Sequence, residues 1–318
     1  MKYYGKRGSN RLCYKKSHIV LIFVFVMIIC IGCSGERNSE KNIENIESEG
    51  KEVNIGIAMA ASNSDYLIDM EGTMKEALVE KGVKYEFLYA EWDAQTQEEQ
   101  IYSFIEKQVN VIILCPVDTK SLLEVLKKAD KEEIPVINLN MKVDAISSEY
   151  IDTYVGASSV EEGLLSAQLA VELLGEEGGN IGIIEGEPGS EPARYRTEAF
   201  LEELKKYPQI RVVGITCGSW DRDRAYTCAW DLTTDNEMLD LIYAHDSNMA
   251  MGAYEALVEL SQEQEVFLIS IGENDEYIEA LAKGIIDGIV TQSSEYEGRT
   301  SIYTAMNAMK DQLSKVNS

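Results

Sequence analysis

Catalytic chemistry has little to work with in this sequence. Of its two histidines, His18 lies in the basic, apolar start, which leaves His245 alone in the rest of the chain. A histidine-based triad or a multi-histidine metal site therefore lacks material. No GxSxG, Walker loop or GxGxxG occurs. With 55 acidic residues, paired carboxylates arise everywhere, so pairing alone assigns no hydrolytic site. No enzymatic activity, metal or cofactor is expected. Beyond Cys33 only Cys115, Cys217 and Cys228 remain, without CxxC spacing, which excludes a disulfide framework or a zinc site. Three buried thiols are expected, with a Cys217–Cys228 bridge as the alternative. What the chain does supply is aromatic, amide, carboxylate and guanidinium groups clustered in short segments, a mixture suited to a neutral polyhydroxylated ligand.

Those segments follow apolar runs. Strand-like stretches fall at 53–59, 84–89, 111–115, 135–139, 154–156, 181–184, 211–216, 241–244, 266–271 and 289–291. Between them, sets such as Leu67/Met70/Met74/Leu78 and Leu165/Leu169/Leu173 recur at helical spacing. Gly82, Gly175 and Gly284 stand where left-handed helix C-caps would be wanted. Such alternation implies parallel sheet covered by helices, and ten strands suit two α/β lobes better than one small sheet. Open parallel sheets bind ligands beyond the carboxyl ends of their strands. The loops to watch are therefore 60–66, 116–119, 140–142, 186–196, 218–222, 245–248, 272–275 and 292–295.

Charge narrows the partners. All six basic residues of the first 18 positions precede any acidic one, and removing the segment before Cys33 leaves 23 basic against 55 acidic residues. So acidic a surface repels phosphate backbones and anionic lipid headgroups, which excludes nucleic acid and attachment through a basic patch. The apolar run 19–31 is too short for the ~20 residues of a spanning helix but suits a signal-peptide core. Cys30-Ile31-Gly32-Cys33 resembles a bacterial lipobox, with Cys30 departing from the usual aliphatic residue. That resemblance implies a signal peptide over 1–32 and a lipid on Cys33 that anchors the protein outside the cytoplasm. An uncleaved signal anchor is the other reading, and both export the chain. Residues 35–52 are polar, charged and aperiodic, so 33–52 reads as a flexible tether.

Several stretches resemble the type I periplasmic solute-binding proteins of sugar ABC transporters, of the ribose and glucose/galactose types. They are Ile134-Pro135-Val136-Ile137, Gly186-Glu187-Pro188-Gly189, Trp220-Asp221-Arg222, Asp246-Ser247-Asn248-Met249-Ala250-Met251-Gly252-Ala253 and Ile271-Gly272-Glu273-Asn274. Their order and spacing carry the resemblance more than any one of them does. It implies an α/β fold of two doubly wound parallel-sheet lobes joined by hinge crossovers and closing on a sugar. The first lobe would hold 53–156 plus 294–318, the second 157–293, with crossovers near 156–158 and 292–293. Family members usually cross a third time and end on a strand of the first lobe. Here the sequence given stops at Ser318, about one strand short of that.

The resemblance also implies ligand contacts. Asn63 matches a polar contact after the first strand and Tyr66 an aromatic that stacks on the sugar, while Asp65 stands where the ribose type has a second Phe. Asn140 falls where the glucose type has Asn, and Met141 replaces the ribose type's Arg. Arg194 or Arg196 matches an arginine of the second lobe, the alternative for either being a solvated helix start or an ion pair with Glu198. Trp220 matches the second aromatic wall, otherwise a loop aromatic packed on a helix. Asp246 replaces an Asn and also suits an N-cap. Ser190 replaces the glucose-type His, and Gly272 an Asp that grips hydroxyls, a grip Glu273 or Asn274 could supply instead. Gln292 matches a hinge-side amide. Asn63 and Asn140 would serve ordinary turns equally well. The expected partners are a sugar-like small molecule, an ABC transporter permease and, through the lipid, a membrane, with the protein a monomer. The rival is a sensory module that presents its closed form to a histidine kinase or chemoreceptor.

Overall fold

The structure is a computed structural model that describes residues 54–236 and 238–316, together with 4–7, 11–14 and 20–22. The tether, Cys33 and most of the expected signal peptide lie outside the described residues. Of the three short stretches before it, Tyr4–Arg7 pairs antiparallel with Arg11–Tyr14.

Among the described residues, ten strands and nine α-helices follow from Asn54 onward. The first sheet takes β1 (Asn54–Met59), β2 (Lys84–Tyr89), β3 (Val111–Leu114), β4 (Val136–Leu139) and β5 (Thr153–Val155), all parallel, in the order 2-1-3-4-5. The second takes β6 (Gly179–Glu185), β7 (Ile210–Cys217), β8 (Leu241–Ala244), β9 (Phe267–Glu273) and β10 (Gly288–Ser293), also parallel, in the order 7-6-8-9-10. Val20–Ile22 is hydrogen-bonded beside β10 at that sheet's edge. Both sheets reverse strand order beside their first strand, where crevices open at the carboxyl ends.

Side-chain alternation explains the layers. Ile55, Ile57 and Met59 of β1 face one side, with Leu67, Met70, Met74 and Leu78 of α1 (Asp65–Lys81) and Ile302, Ala305 and Met309 of α9 (Ser294–Val316). Ala58 faces the other side, against Ile101 and Phe104 of α2 (Ala94–Glu106) and Val125 and Leu126 of α3 (Leu123–Lys131). The second sheet is covered likewise by α4 (Ser159–Leu174) and α5 (Glu191–Leu204) on one face. Its other face carries α6 (Arg222–Asp235), α7 (Ser247–Glu259) and α8 (Asp275–Lys283). Each fully buried Leu, Ile or Phe contributes ~1.5–3 kcal/mol, so packing rather than helix propensity holds these layers.

From Asn54 onward the described chain passes between the two sheets twice. After β5 it runs through 156–158 into α4, which packs on the second sheet, and after β10 it enters α9, which packs on α1 and the first sheet. Gly82 and Gly284 end α1 and α8 in the left-handed conformation, at φ 64° and 70°. Gly175 departs from that expectation: its φ is 66° but its ψ is −157°, so α4 ends without a left-handed cap. The thiols also depart from expectation. Cys115 is buried, whereas Cys217 is exposed at the end of β7, an edge strand, and Cys228 is half-buried on the helix that covers it, Arg222–Asp235; all three are free.

Candidate functional site

A narrow crevice, partly open to solvent, lies between the carboxyl ends of the two sheets. The first lobe lines it with Ser64, Tyr66, Leu67, Trp92, Asn140 and Met141, and the second with Pro192, Arg196, Trp220, Asp246, Ile271 and Gln292. The lobes meet here. Trp92 packs against the cores of both, and Asn274 donates its amide N–H to Asp69 across the mouth at 3.3 Å.

Short local devices aim the side chains. Trp92, Asn140 and Trp220 have φ of 63°, 61° and 61°, and Glu91 and Ser219 before the tryptophans are also positive. Such backbone costs a non-glycine residue energy, on the order of 1 kcal/mol or more, and its concentration at one cavity marks the residues whose direction matters. Gly186 makes room for Trp220, since a Cβ there would sit 1.9 Å from the indole. Asp221 next door caps α6 by accepting from Arg224 N at 2.8 Å. Asp246 both lines the cavity and caps α7, accepting from Met249 N at 2.7 Å.

A polar network forms the floor. Arg196 donates through Nε to Glu162 (2.9 Å), through Nη1 to the His245 carbonyl (2.7 Å) and through Nη2 to Gln292 Oε1 (2.9 Å). Gln292 Nε2 donates to Glu297 Oε1 at 3.3 Å, Asn140 Nδ2 to Glu297 Oε2 at 2.8 Å, and the Ala157 amide to Glu297 Oε1 at 3.1 Å. Glu297 thus ties a cleft residue of each lobe to the first crossover. The Tyr66 hydroxyl lies beside it without a hydrogen bond of good geometry. Burial pushes the Glu297 carboxyl up to about 7, with the nearby Glu162 charge adding to the rise, and burial pushes Asp246 up to about 6. Burial, with Arg196 adding to the effect, holds His245 well below its ordinary value, so its imidazole stays neutral at neutral pH. The indole N–H of Trp220 is buried without a partner.

Of the residues expected at the site, the structure brings together Tyr66, Asn140, Arg196, Trp220, Asp246 and Gln292. Between the two arginines it selects Arg196. Arg194 is exposed and paired with Glu198 at 2.8 Å. Asn63 and Asp65 are exposed, and the buried Ser64 between them lines the cavity instead. Glu273 is exposed, and Asn274 caps α8 at the mouth rather than lining the floor. Sequence reasoning passed over Trp92, Glu162 and Glu297. Trp92 follows β2 and was open to the same strand-end rule; Glu297 shares a helical stripe with buried Ser301 and Ala305 but reads as one acid among many.

Residues 55–313 match the family model described as a periplasmic binding protein domain. The chain belongs to that family. Among its relatives, the D-allose-binding periplasmic protein of Escherichia coli (strain K12) is 24% identical over 80% of this chain and 84% of its own length. The ribose import binding protein RbsB of Bacillus subtilis (strain 168) is 21% identical over 91% and 92%. An ABC transporter solute binding protein from Bacillus halodurans C-125, solved with bound myo-inositol, superposes with a TM-score of 0.77 at 28% identity. That superposition covers 83% of this chain and 91% of the other. The periplasmic binding protein carries its cavity at the interlobe position just described, and its fold is the type I arrangement of two parallel-sheet lobes.

Proposed function

We propose that this periplasmic binding protein captures a sugar-like solute between its lobes and delivers it to an ABC transporter permease. One observation carries the reading: a single cavity is walled by aromatic and hydrogen-bonding side chains contributed by both lobes. Tyr66, Trp92 and Trp220 offer faces to C–H surfaces, while Asn140, Arg196 and Asp246 offer acceptors and donors to hydroxyls. A ligand that touches both halves favours the closed state in proportion to the contacts it makes only there. On this reading the described residues of 53–156 plus 294–318 form one lobe and those of 157–293 the other. Export through the signal peptide and a lipid on Cys33 would hold the protein at the membrane face where a permease works, at the end of the 33–52 tether. The relatives that bind allose, ribose or myo-inositol support a polyhydroxylated ligand.

The test is a panel of monosaccharides, cyclitols and their derivatives, read by melting temperature and tryptophan fluorescence. At least one member should raise the melting temperature, by about 2.7 kcal/mol of stabilisation at a hundredfold excess over Kd. A panel that moves neither signal overturns the reading.

A further inference from the structure

The charges of the cleft do not balance, and the imbalance narrows the class of ligand; the inference rests on the solute-binding reading above. Arg196 has each of its three nitrogens engaged, and its charge is matched by Glu162, both side chains being 5% exposed. Asp246 stands in the cavity wall with a backbone cap and the field of Arg196, but no ion pair among the described residues. Glu297 lies at the floor with three N–H donors and again no ion pair among the described residues. The surrounding cations are committed. Arg222 is held by Glu255 at 2.7 Å and Glu276 at 3.7 Å, and Lys142 sits over the Tyr154 ring at 4.5 Å. Asp65 and Asp69 of the first lobe add negative charge at the mouth, and burial together with Asp69 and Glu276 raises the Asp65 carboxyl.

Hydrogen bonding leans the same way. Asn140 spends one amide N–H on Glu297, which leaves it a second N–H and its carbonyl oxygen. Asp246, an acceptor only when ionised, asks the ligand for donors, and the Asn140 carbonyl oxygen can accept another. A neutral polyol can supply hydroxyl donors but leaves a desolvated carboxylate without counter-charge, whereas an ammonium group supplies three donors and the charge together.

We infer that the cleft selects a polyol bearing a protonated amine, an amino sugar or aminated cyclitol, with the ammonium donating to Asp246. The upward displacement of the Asp246 and Glu297 carboxyls agrees with sites that lack a cation.

The experiment is calorimetric titration of the whole protein at neutral pH with matched pairs: D-glucosamine and D-glucose, D-galactosamine and D-galactose, an aminated cyclitol and myo-inositol. The aminated member of at least one pair should bind about tenfold or more tightly than its hydroxylated partner. Asp246→Asn, which preserves the cap on Met249 N, should shrink that ratio at least about fivefold, and Arg194→Ala should leave the ratio as it is. Equal binding within every pair, tighter binding of the neutral members, or a ratio unmoved by Asp246→Asn overturns the inference. Binding of neutral members alone, with a rise in melting temperature, overturns this inference and leaves solute capture standing. Silence from both classes sinks both.

Discussion

Arg196 Nη2 stands 2.9 Å from Gln292 Oε1, and that contact joins the α5 helix of the second lobe to the strand that leads into the second crossover. The same guanidinium is bound to Glu162 at the start of α4, just past the first crossover. One side chain therefore holds the entry and exit of the second lobe together.

Removing it should be costly in two ways. Arg196→Met strands Glu162 as a buried charge, and loss of one partner of a buried pair costs about 3–5 kcal/mol. Arg196→Lys keeps the charge but not the fork that reaches His245 and Gln292, so it should recover part of the stability and little of the ligand affinity. Arg194→Ala, an exposed partner of Glu198, should leave melting temperature and affinity unchanged. Scanning calorimetry and titration of the three variants check all of this.

The Glu297 carboxyl titrates near 7 in the fold and near the ordinary ~4.3 in the unfolded chain. Between those values the folded state holds the extra proton, so this group's contribution to stability falls as pH rises from about 4.5 to about 7. Glu297→Gln should therefore be more stable than the parent above pH 7, by an amount on the order of 3 kcal/mol, and lose that advantage near pH 4.5. Melting curves of both proteins across that range test the sign. An advantage that grows toward low pH would contradict the assignment.

Two glycines should respond oppositely to alanine. Gly186→Ala places a Cβ against the Trp220 indole and should cost most of the ligand affinity by displacing that ring. Gly72→Ala, in the exposed interior of α1 with nothing within 4 Å, should add about 0.5–1 kcal/mol of stability. Chemical denaturation and ligand titration separate the two.

Thiol reactivity should follow exposure. Cys217 should be alkylated first and Cys228 more slowly, while Cys115, whose thiol burial pushes up to about 12, should react only on unfolding. Peptide mass spectrometry after timed alkylation reads the order.

The strands were legible because parallel strands buried on both faces read as short apolar runs bounded by turns, as Val111–Leu114 and Leu241–Ala244 do. Strand ends blurred where polar residues continue the ladder, as at Gly179, Asn180 and Glu185 of β6. The Arg194/Arg196 ambiguity was soluble in principle. Arg196 lies on the α5 stripe with Ala193 and Phe200, both buried, whereas Arg194 shares its face with Glu198. Asn63 and Ser64 could not be told apart, because which side of a loop turns inward depends on the helix start that follows. Glu297 was hidden by composition: against a background of carboxylates on solvated faces, nothing in its type marks it as buried.

The link from Asn274 to Asp69 is a water-exposed hydrogen bond of 3.3 Å at the lip of the cleft. A fastening of that kind is worth little in water, so the shut form has no lock of its own there. Without cargo the jaws then lean on Trp92, wedged against both cores, rather than on any fastening at the rim.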